Sequence, residues 1–132
     1  NSDFFYSPKS NIDNQIIANW DIANNIELPN QLARQGKIVF IDITADWCLT
    51  CKVNKFLVID TKDVKELFQK HKVTVLRLDW TKPNYEIKRF LSRKGRYGIP
   101  FNEIYGPSLP NGKIFPELLN QNTIKEYITL AK

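Results

Sequence analysis

The chain has 132 residues, the usual size of one domain, and 42% of them are hydrophobic, which is enough to build one core. Charged residues make up 25% of the chain, a proportion that excludes wholesale disorder. The net charge is +5, but basic residues are scattered among acidic ones and form no long run, which argues against binding to nucleic acid. No stretch approaches the roughly 18 to 20 apolar residues of a membrane span. From size and composition we expect one globular domain, and we expect it to be monomeric.

The start of the chain differs in character from the rest. Residues 1–14 are polar apart from a few aromatic and apolar side chains, and we interpret them as a tail or linker before a domain at 15–132. The chain contains no Met, and we interpret it as a processed or excised piece of a longer protein. Residues 28–35 predict a short helix, since Pro29 stands in its first turn and Gly36 directly follows its end.

Alternating strands and helices follow. A nearly continuous run of β-branched and aromatic residues at 38–43 predicts a strand that is buried on both faces. Three helices and a strand come next: a helix at 48–58, a helix that Asp60 or Thr61 caps, a strand at 73–80 and a helix that Pro83 and Asn84 open. The pattern then predicts a strand at 101–105, a turn at 110–112, a short strand near 114–115 and a final helix near 124–131. This order predicts an α/β fold with a central mixed β-sheet covered by helices on both faces.

The strongest functional signal is the motif Cys-Leu-Thr-Cys at 48–51, which contains the only two cysteines of the chain. The motif follows a buried strand and opens a helix, which is the setting of a redox-active dithiol. At a helix N-terminus, free backbone N–H groups and the positive dipole end stabilise a thiolate, so we expect Cys48 to be exposed and to have a lowered pKa. Cys51 lies one turn deeper, where we expect it to be shielded and to close the disulfide.

Three other interpretations of the cysteines compete with this one. A structural bridge across so small a ring would stabilise the fold by only about 2 kcal/mol in the chain-entropy model. A structural zinc site needs four ligands, which two cysteines and the single His71 cannot supply within one chain, although a metal shared between chains stays open. Two inert core cysteines are not expected at the mouth of a helix. We therefore expect no metal and a working redox pair.

Asp42 stands out because it places a carboxylate inside the hydrophobic run at 38–43, where burial is costly. Burial tends to raise the pKa of a carboxyl group, and from behind the redox helix Asp42 could accept the Cys51 proton through water. The alternative is an Asp on a locally hydrated face or one bonded to nearby backbone.

Trp47 either shapes a docking surface or packs in the core. We interpret His71 as a packing or capping residue.

These residues resemble a known family. Residues 41–52 resemble the active-site stretch of thioredoxin-like proteins and, more narrowly, that of the C-terminal periplasmic domain of the DsbD family of transmembrane thiol–disulfide interchange proteins. The stretches 78–81, 95–100 and 104–107 agree with the same family. The resemblance covers roughly residues 36–130.

The resemblance implies a thioredoxin-like fold in which Pro100 is a cis-proline beside the redox pair and Asp42 is the buried acid behind it. It implies that Ile99 offers backbone groups to an extended segment of a partner, next to Trp47. It also implies a protein-disulfide reductase whose redox-active disulfide, at 48–51, is its sole redox group, without a further cofactor. Such a domain takes electrons from a membrane-embedded thiol–disulfide partner and passes them to a periplasmic thiol protein. We therefore expect a soluble periplasmic domain of an inner-membrane protein, with a cytoplasmic protein as the alternative.

Two other functions are compatible with the same residues. A disulfide oxidase or isomerase would use the same pair, but no histidine between the cysteines further stabilises the Cys48 thiolate, which disfavours a strong oxidant. A redox-inactive adaptor or metal chaperone would use the fold for binding alone.

The chain also departs from the family pattern. Lys55 stands where many members of the family carry an acidic residue, so the charge near the cysteine pair differs from theirs.

Overall fold

A computed structural model describes residues 16–132 of the chain, and the predicted tail at 1–14 lies outside the described residues. The strands are β1 (Ile16–Ile17), β2 (Val39–Thr44), β3 (Thr74–Asp79), β4 (Phe101–Gly106) and β5 (Leu109–Ile114). The helices are α1 (Leu28–Arg34), α2 (Leu49–Asn54), which a π-helical turn (Lys55–Ile59) continues, α3 (Lys62–Lys70), α4 (Tyr85–Arg93) and α5 (Gln121–Ala131).

The five strands form one mixed sheet in the order β1-β3-β2-β4-β5. β3 is parallel to both β1 and β2, whereas β4 is antiparallel to its neighbours β2 and β5. The predicted α/β fold with a central mixed sheet is therefore confirmed. No helix within residues 16–132 is long and apolar enough to cross a membrane.

The sheet separates two apolar cores. Phe40 of β2 packs in the core under the π-helical turn, α3 and α5, while Ile41 and Ile43 pack in the core under α1 and α4. Successive side chains of a strand point to opposite faces, so a strand between two cores must be apolar at nearly every position. This is why the run at 38–43 is hydrophobic without alternation.

Polar caps fix where three of the helices begin. Thr61 caps α3 by accepting a hydrogen bond from a backbone N–H, and Asn84 and Asn120 cap α4 and α5 in the same way. The predicted caps of α3 and α4 are thus confirmed, with Thr61 rather than Asp60 as the α3 cap. The helix predicted at 48–58 is present, but its last turn is π-helical.

The hairpin prediction is wrong in its placement of the turn. Residues 107–108 form the turn between β4 and β5, and the predicted turn at 110–112 lies inside β5. The pairing shifts between Ile104, opposite Lys113, and Gly106, opposite Leu109, so residues 110–112 form a bulge. Gly112 adopts a φ of +89° there, which explains why a turn-like sequence occurs within a strand.

Candidate active site

The two cysteines lie where β2 has ended and α2 begins. Cys48 is the N-cap of α2, and a disulfide joins it to Cys51, whose Cα atom is 5.3 Å away. The backbone N–H of Cys51 donates a hydrogen bond to Cys48 Sγ over 3.2 Å. This bond and the positive end of the α2 dipole both favour negative charge on Cys48 Sγ. The local geometry therefore suits a Cys48 thiolate in the reduced protein.

The expected difference in exposure between the two cysteines is wrong for the disulfide form. Cys48 and Cys51 each expose only 5% of their surface. Ala45 is buried in one cluster with the pair, and Trp80 and Ile99 pack against it. A helix mouth can therefore bury both sulfurs when neighbouring loops cover it. The asymmetry between the cysteines comes from the N–H bond to Cys48 Sγ rather than from solvent access.

The loop before β4 reaches the redox pair. The Ile99–Pro100 peptide bond is cis, as the resemblance implies, and the partly buried Ile99 packs against the cysteine cluster. Phe101, the first residue of β4, pairs with Ile43 near the end of β2. This antiparallel pairing is what carries the loop to the end of the sheet where the cysteines lie.

Trp47 lies on the surface beside the pair. Its indole N–H donates to the Trp80 carbonyl oxygen over 3.2 Å, and the two rings lie 6.3 Å apart. The Trp47 side chain is otherwise exposed, so its interpretation as a core residue is wrong. The hydrogen bond holds the ring against Trp80, which itself packs against the cysteine cluster.

Asp42 is buried but fully partnered. Arg77 Nε donates to Asp42 Oδ2 over 3.1 Å, and Asn102 Nδ2 donates to Asp42 Oδ1 over 3.0 Å. The three residues are opposite one another on β3, β2 and β4, so they form a cross-strand row. Asp42 shares the sheet face of Phe40, which the continuation of α2 covers. It thus lies on the sheet face that this helix covers, and its carboxylate is bonded to two side chains rather than to nearby backbone.

A second buried carboxylate lies on the opposite face of the sheet. Glu103 exposes 1% of its surface, and its carboxylate accepts hydrogen bonds from Lys94 Nζ (2.9 Å) and from the Tyr105 hydroxyl (2.9 Å). Lys94 Nζ also donates to the Tyr105 hydroxyl oxygen over 2.7 Å. Burial raises the pKa of Glu103, and the Lys94 charge opposes that rise. Burial raises the pKa of Tyr105 as well, and the Glu103 charge adds to the rise.

This network was not predicted from the sequence, although β4 contains a usable signal. Asn102 and Glu103 are adjacent polar residues in a strand with covered faces, so both have to be buried, on opposite sides. Two buried polar side chains each need partners, and those partners supply the two networks.

His71 and the two lysines that follow the redox motif lie at a helix end and on the exposed surface, respectively. His71 ends α3 as its C-cap, and burial, followed by the charges of Lys132 and Lys70, lowers its pKa. Lys52 and Lys55 are exposed, and Lys55 forms an ion pair with Asp60. Within residues 16–132, no cluster of three His, Cys, Asp or Glu side chains could hold a metal ion.

Comparisons with known proteins agree with this geometry. A family model described as thioredoxin-like matches residues 26–107. The thiol:disulfide interchange protein DsbD of Vibrio cholerae is 33% identical over 99 residues, which cover 70% of this chain but 16% of that protein. DsbD of Haemophilus influenzae is 32% identical over 80 residues, covering 60% of this chain and 14% of that protein. The chain therefore spans about one seventh of the length of these relatives.

Solved structures show the same fold. The reduced C-terminal domain of Neisseria meningitidis DsbD superposes with a TM-score of 0.66 at 17% identity, covering 88% of this chain and 100% of that one. A mutant thioredoxin from Halobacterium salinarum superposes with a TM-score of 0.60 at 17% identity, covering 92% of this chain and 94% of that one. With a family model that matches more than half of its residues, the chain belongs to the thioredoxin-like family.

Proposed function

We propose that the chain is a thiol–disulfide exchange domain that works as a protein-disulfide reductase. The hydrogen bond from the Cys51 N–H to Cys48 Sγ carries this proposal, because it stabilises a nucleophilic thiolate at one defined sulfur. The names of the curated relatives, thiol:disulfide interchange proteins, support the same activity.

The reaction follows from the positions of the two sulfurs. In the reduced protein, the Cys48 thiolate attacks one sulfur of a partner disulfide, forms a mixed disulfide and releases the other partner sulfur as a thiolate. Cys51 then loses its proton and attacks Cys48 Sγ, which reforms the Cys48–Cys51 disulfide and releases the second partner sulfur. The domain is oxidised by two electrons, and the partner gains these two electrons; the Cys51 thiol supplies one of the two protons that complete the partner dithiol, and solvent supplies the other.

We propose that Asp42 accepts the Cys51 proton through water during the second step. Its place on the sheet face behind α2 supports this role. Arg77 and Asn102 hold one carboxylate oxygen each, so the carboxylate has a fixed orientation. These partners also compensate the buried charge, so Asp42 is not the uncompensated carboxylate that its place in a hydrophobic strand suggests.

Asp42→Asn should slow disulfide exchange at neutral pH by at least about tenfold, within the usual range for loss of a general base. It should also lower the free energy of unfolding by about 1 to 3 kcal/mol. The NH2 group of the new side chain replaces one acceptor oxygen, so it faces the donor of Arg77 or Asn102 and one hydrogen bond is lost. Stopped-flow exchange between pH 6 and 8 and urea unfolding measure the two effects. Asp63→Asn, at an exposed position on α3, is the matched control, and exchange rates equal to its rates would contradict the proton-transfer role.

We further propose that Trp47, Ile99 and Pro100 form the site where a partner docks. The backbone N–H and C=O of Ile99 make no hydrogen bond within the part of the chain that is described, so they are free to pair with an extended segment. Ile99 itself packs against the cysteine cluster, so this segment lies beside the disulfide. The exposed ring of Trp47, the residue before Cys48, adds an apolar surface to the same site.

The proposed partners come from the relatives. DsbD proteins are thiol:disulfide interchange proteins several times longer than this chain. We propose that this domain lies in the periplasm as part of a membrane protein, takes electrons from a membrane-embedded thiol pair and passes them to another periplasmic thiol protein.

The reduction potential tests the direction of electron flow. Because no histidine between the cysteines stabilises the Cys48 thiolate further, the reduced form is not strongly favoured and the couple should be reducing. We expect a value near that of thioredoxin, about −270 mV, when the domain is equilibrated with glutathione. A value near that of a strong oxidant, about −120 mV, would contradict the assignment as a reductase.

A further inference from the structure

The outward face of the redox helix is apolar and exposed. Its side chains recur at helical spacing through α2 and the π-helical turn, and together we call them the outer stripe: Leu49, Val53, Phe56 and Leu57. Phe56 exposes 80% and Leu57 63% of its surface. The opposite face of the same helix is buried in the domain through Cys51 and Val58. A helix that is apolar on two faces is normally covered on both, so the outer stripe has the character of an interface.

The outer stripe is continuous with the redox site. It begins at Leu49, between the two cysteines, and the exposed Trp47 extends it past Cys48. Residues 16–132 expose ten large apolar side chains, and five of them lie from Trp47 to Leu57. The largest local concentration of exposed apolar surface therefore surrounds the sulfur that has to meet a partner.

The charges around the outer stripe favour a protein over a lipid surface. Lys55 forms an ion pair with Asp60, and Lys62 lies 4.0 Å from Glu66. Lys52 is the remaining basic side chain of the helix itself. A helix that binds anionic lipid usually carries a strongly basic polar face, whereas this one carries two lysines, of which Lys55 is paired with Asp60.

The area of the surface favours a transient partner over a second copy of the chain. The five exposed side chains from Trp47 to Leu57 present on the order of 600 Å² at typical side-chain areas. That is one partner's share of a small transient interface, and it is well below what obligate dimers bury. A second copy seated symmetrically on this surface would also cover Cys48 and block exchange.

We propose that the outer stripe is a docking surface for the redox partner, a thiol- or disulfide-bearing protein whose own apolar surface lies beside its reactive cysteine. This inference rests on the proposed function and extends the docking site from Trp47, Ile99 and Pro100 along the whole outer face of α2. Phe56 and Leu57 lie at the far end of the stripe, so they contact a protein partner but are out of reach of a small disulfide bound at Cys48.

The test compares a protein disulfide with a small one. Reduced wild-type protein, the double variant Phe56→Ser/Leu57→Ser and the control Leu130→Ser are each mixed with insulin and with glutathione disulfide. Leu130 is an exposed leucine on α5, away from the redox helix. We expect the ratio of the insulin rate constant to the glutathione disulfide rate constant to fall about tenfold in the double variant, as for loss of a binding hot spot, and to stay at the wild-type value in the control.

Other outcomes separate the competing occupants. A ratio unchanged in the double variant overturns the inference. Binding of the wild type, but not the double variant, to vesicles of phosphatidylglycerol and phosphatidylethanolamine overturns it in favour of a lipid surface. A wild-type dimer that the double variant converts to a monomer overturns it in favour of a second copy. If the wild type exchanges with neither disulfide, the proposed function itself fails. Equal midpoints of urea unfolding for the wild type and the variants show that the variants are folded.

Discussion

Replacement of Cys48 by Ser should abolish disulfide exchange, whereas replacement of Cys51 by Ser should stop it after the first step and trap a mixed disulfide. Cys48 Sγ accepts the Cys51 N–H bond at the start of α2, so it is the sulfur at which negative charge is stabilised. Without it, the first attack has no nucleophile, and insulin reduction should fall at least about a thousandfold. Cys51→Ser retains the nucleophile but cannot release the partner, so a covalent adduct should accumulate on a non-reducing gel.

The two variants control for each other. Each loses the same disulfide, whose contribution to stability is about 2 kcal/mol for so small a ring, so a difference between them reports the roles of the two sulfurs. In reduced Cys51→Ser, the pH dependence of alkylation gives the pKa of the Cys48 thiol, which we expect to lie below the ordinary value of about 8.5. An adduct that accumulates in Cys48→Ser and not in Cys51→Ser would reverse the assignment.

Features that depend on neighbouring residues were predictable from the sequence. Cys48 at the start of α2, Thr61 before α3 and Asn84 before α4 each act on a backbone N–H three residues further along, so their effect is visible in a short window. The strand β2 was predictable because burial of both faces leaves a continuous hydrophobic run. Together these elements place the redox pair after a buried strand without reference to the rest of the fold.

Features that depend on strand register were not predictable. Arg77 and Asn102 lie 35 and 60 residues from Asp42 along the chain, and only the order β3-β2-β4 and its register bring them together. The low exposure of Cys48 has a similar origin, because Trp80 and Ile99 come from separate loops at the end of the sheet. The hairpin turn was misplaced since the strong turn sequence at 110–112 is accommodated as a bulge.

The second buried network gives the other large expected effect. Lys94→Met should lower the free energy of unfolding at neutral pH by about 3 kcal/mol, because it leaves the Glu103 carboxylate buried without its cation. The Lys94 Nζ lies 5.5 Å from the ring centroid of Phe90 and 5.2 Å from that of Tyr105, so its charge also faces the two rings. Met keeps an apolar chain of similar length, so the change removes the cation while leaving most of the packing. Urea unfolding at a series of pH values measures the effect.

The pH dependence distinguishes a lost charge from lost packing. Burial already raises the pKa of Glu103 in the folded protein, and Lys94 opposes the rise, so Lys94→Met should raise that pKa further. A carboxyl group with a raised folded-state pKa binds its proton more tightly in the folded state, so its contribution to stability is present at low pH and lost as pH rises through the folded-state pKa. The deficit of Lys94→Met relative to wild type should therefore be largest at neutral pH and shrink towards pH 4 to 5, near the unfolded-state pKa of about 4.3. In the Glu103→Gln background, Lys94→Met should lower the free energy of unfolding by less, and the loss should depend little on pH. If Lys94→Met in the wild-type background instead shows the same deficit at every pH, Lys94 supplies packing and not an ion pair.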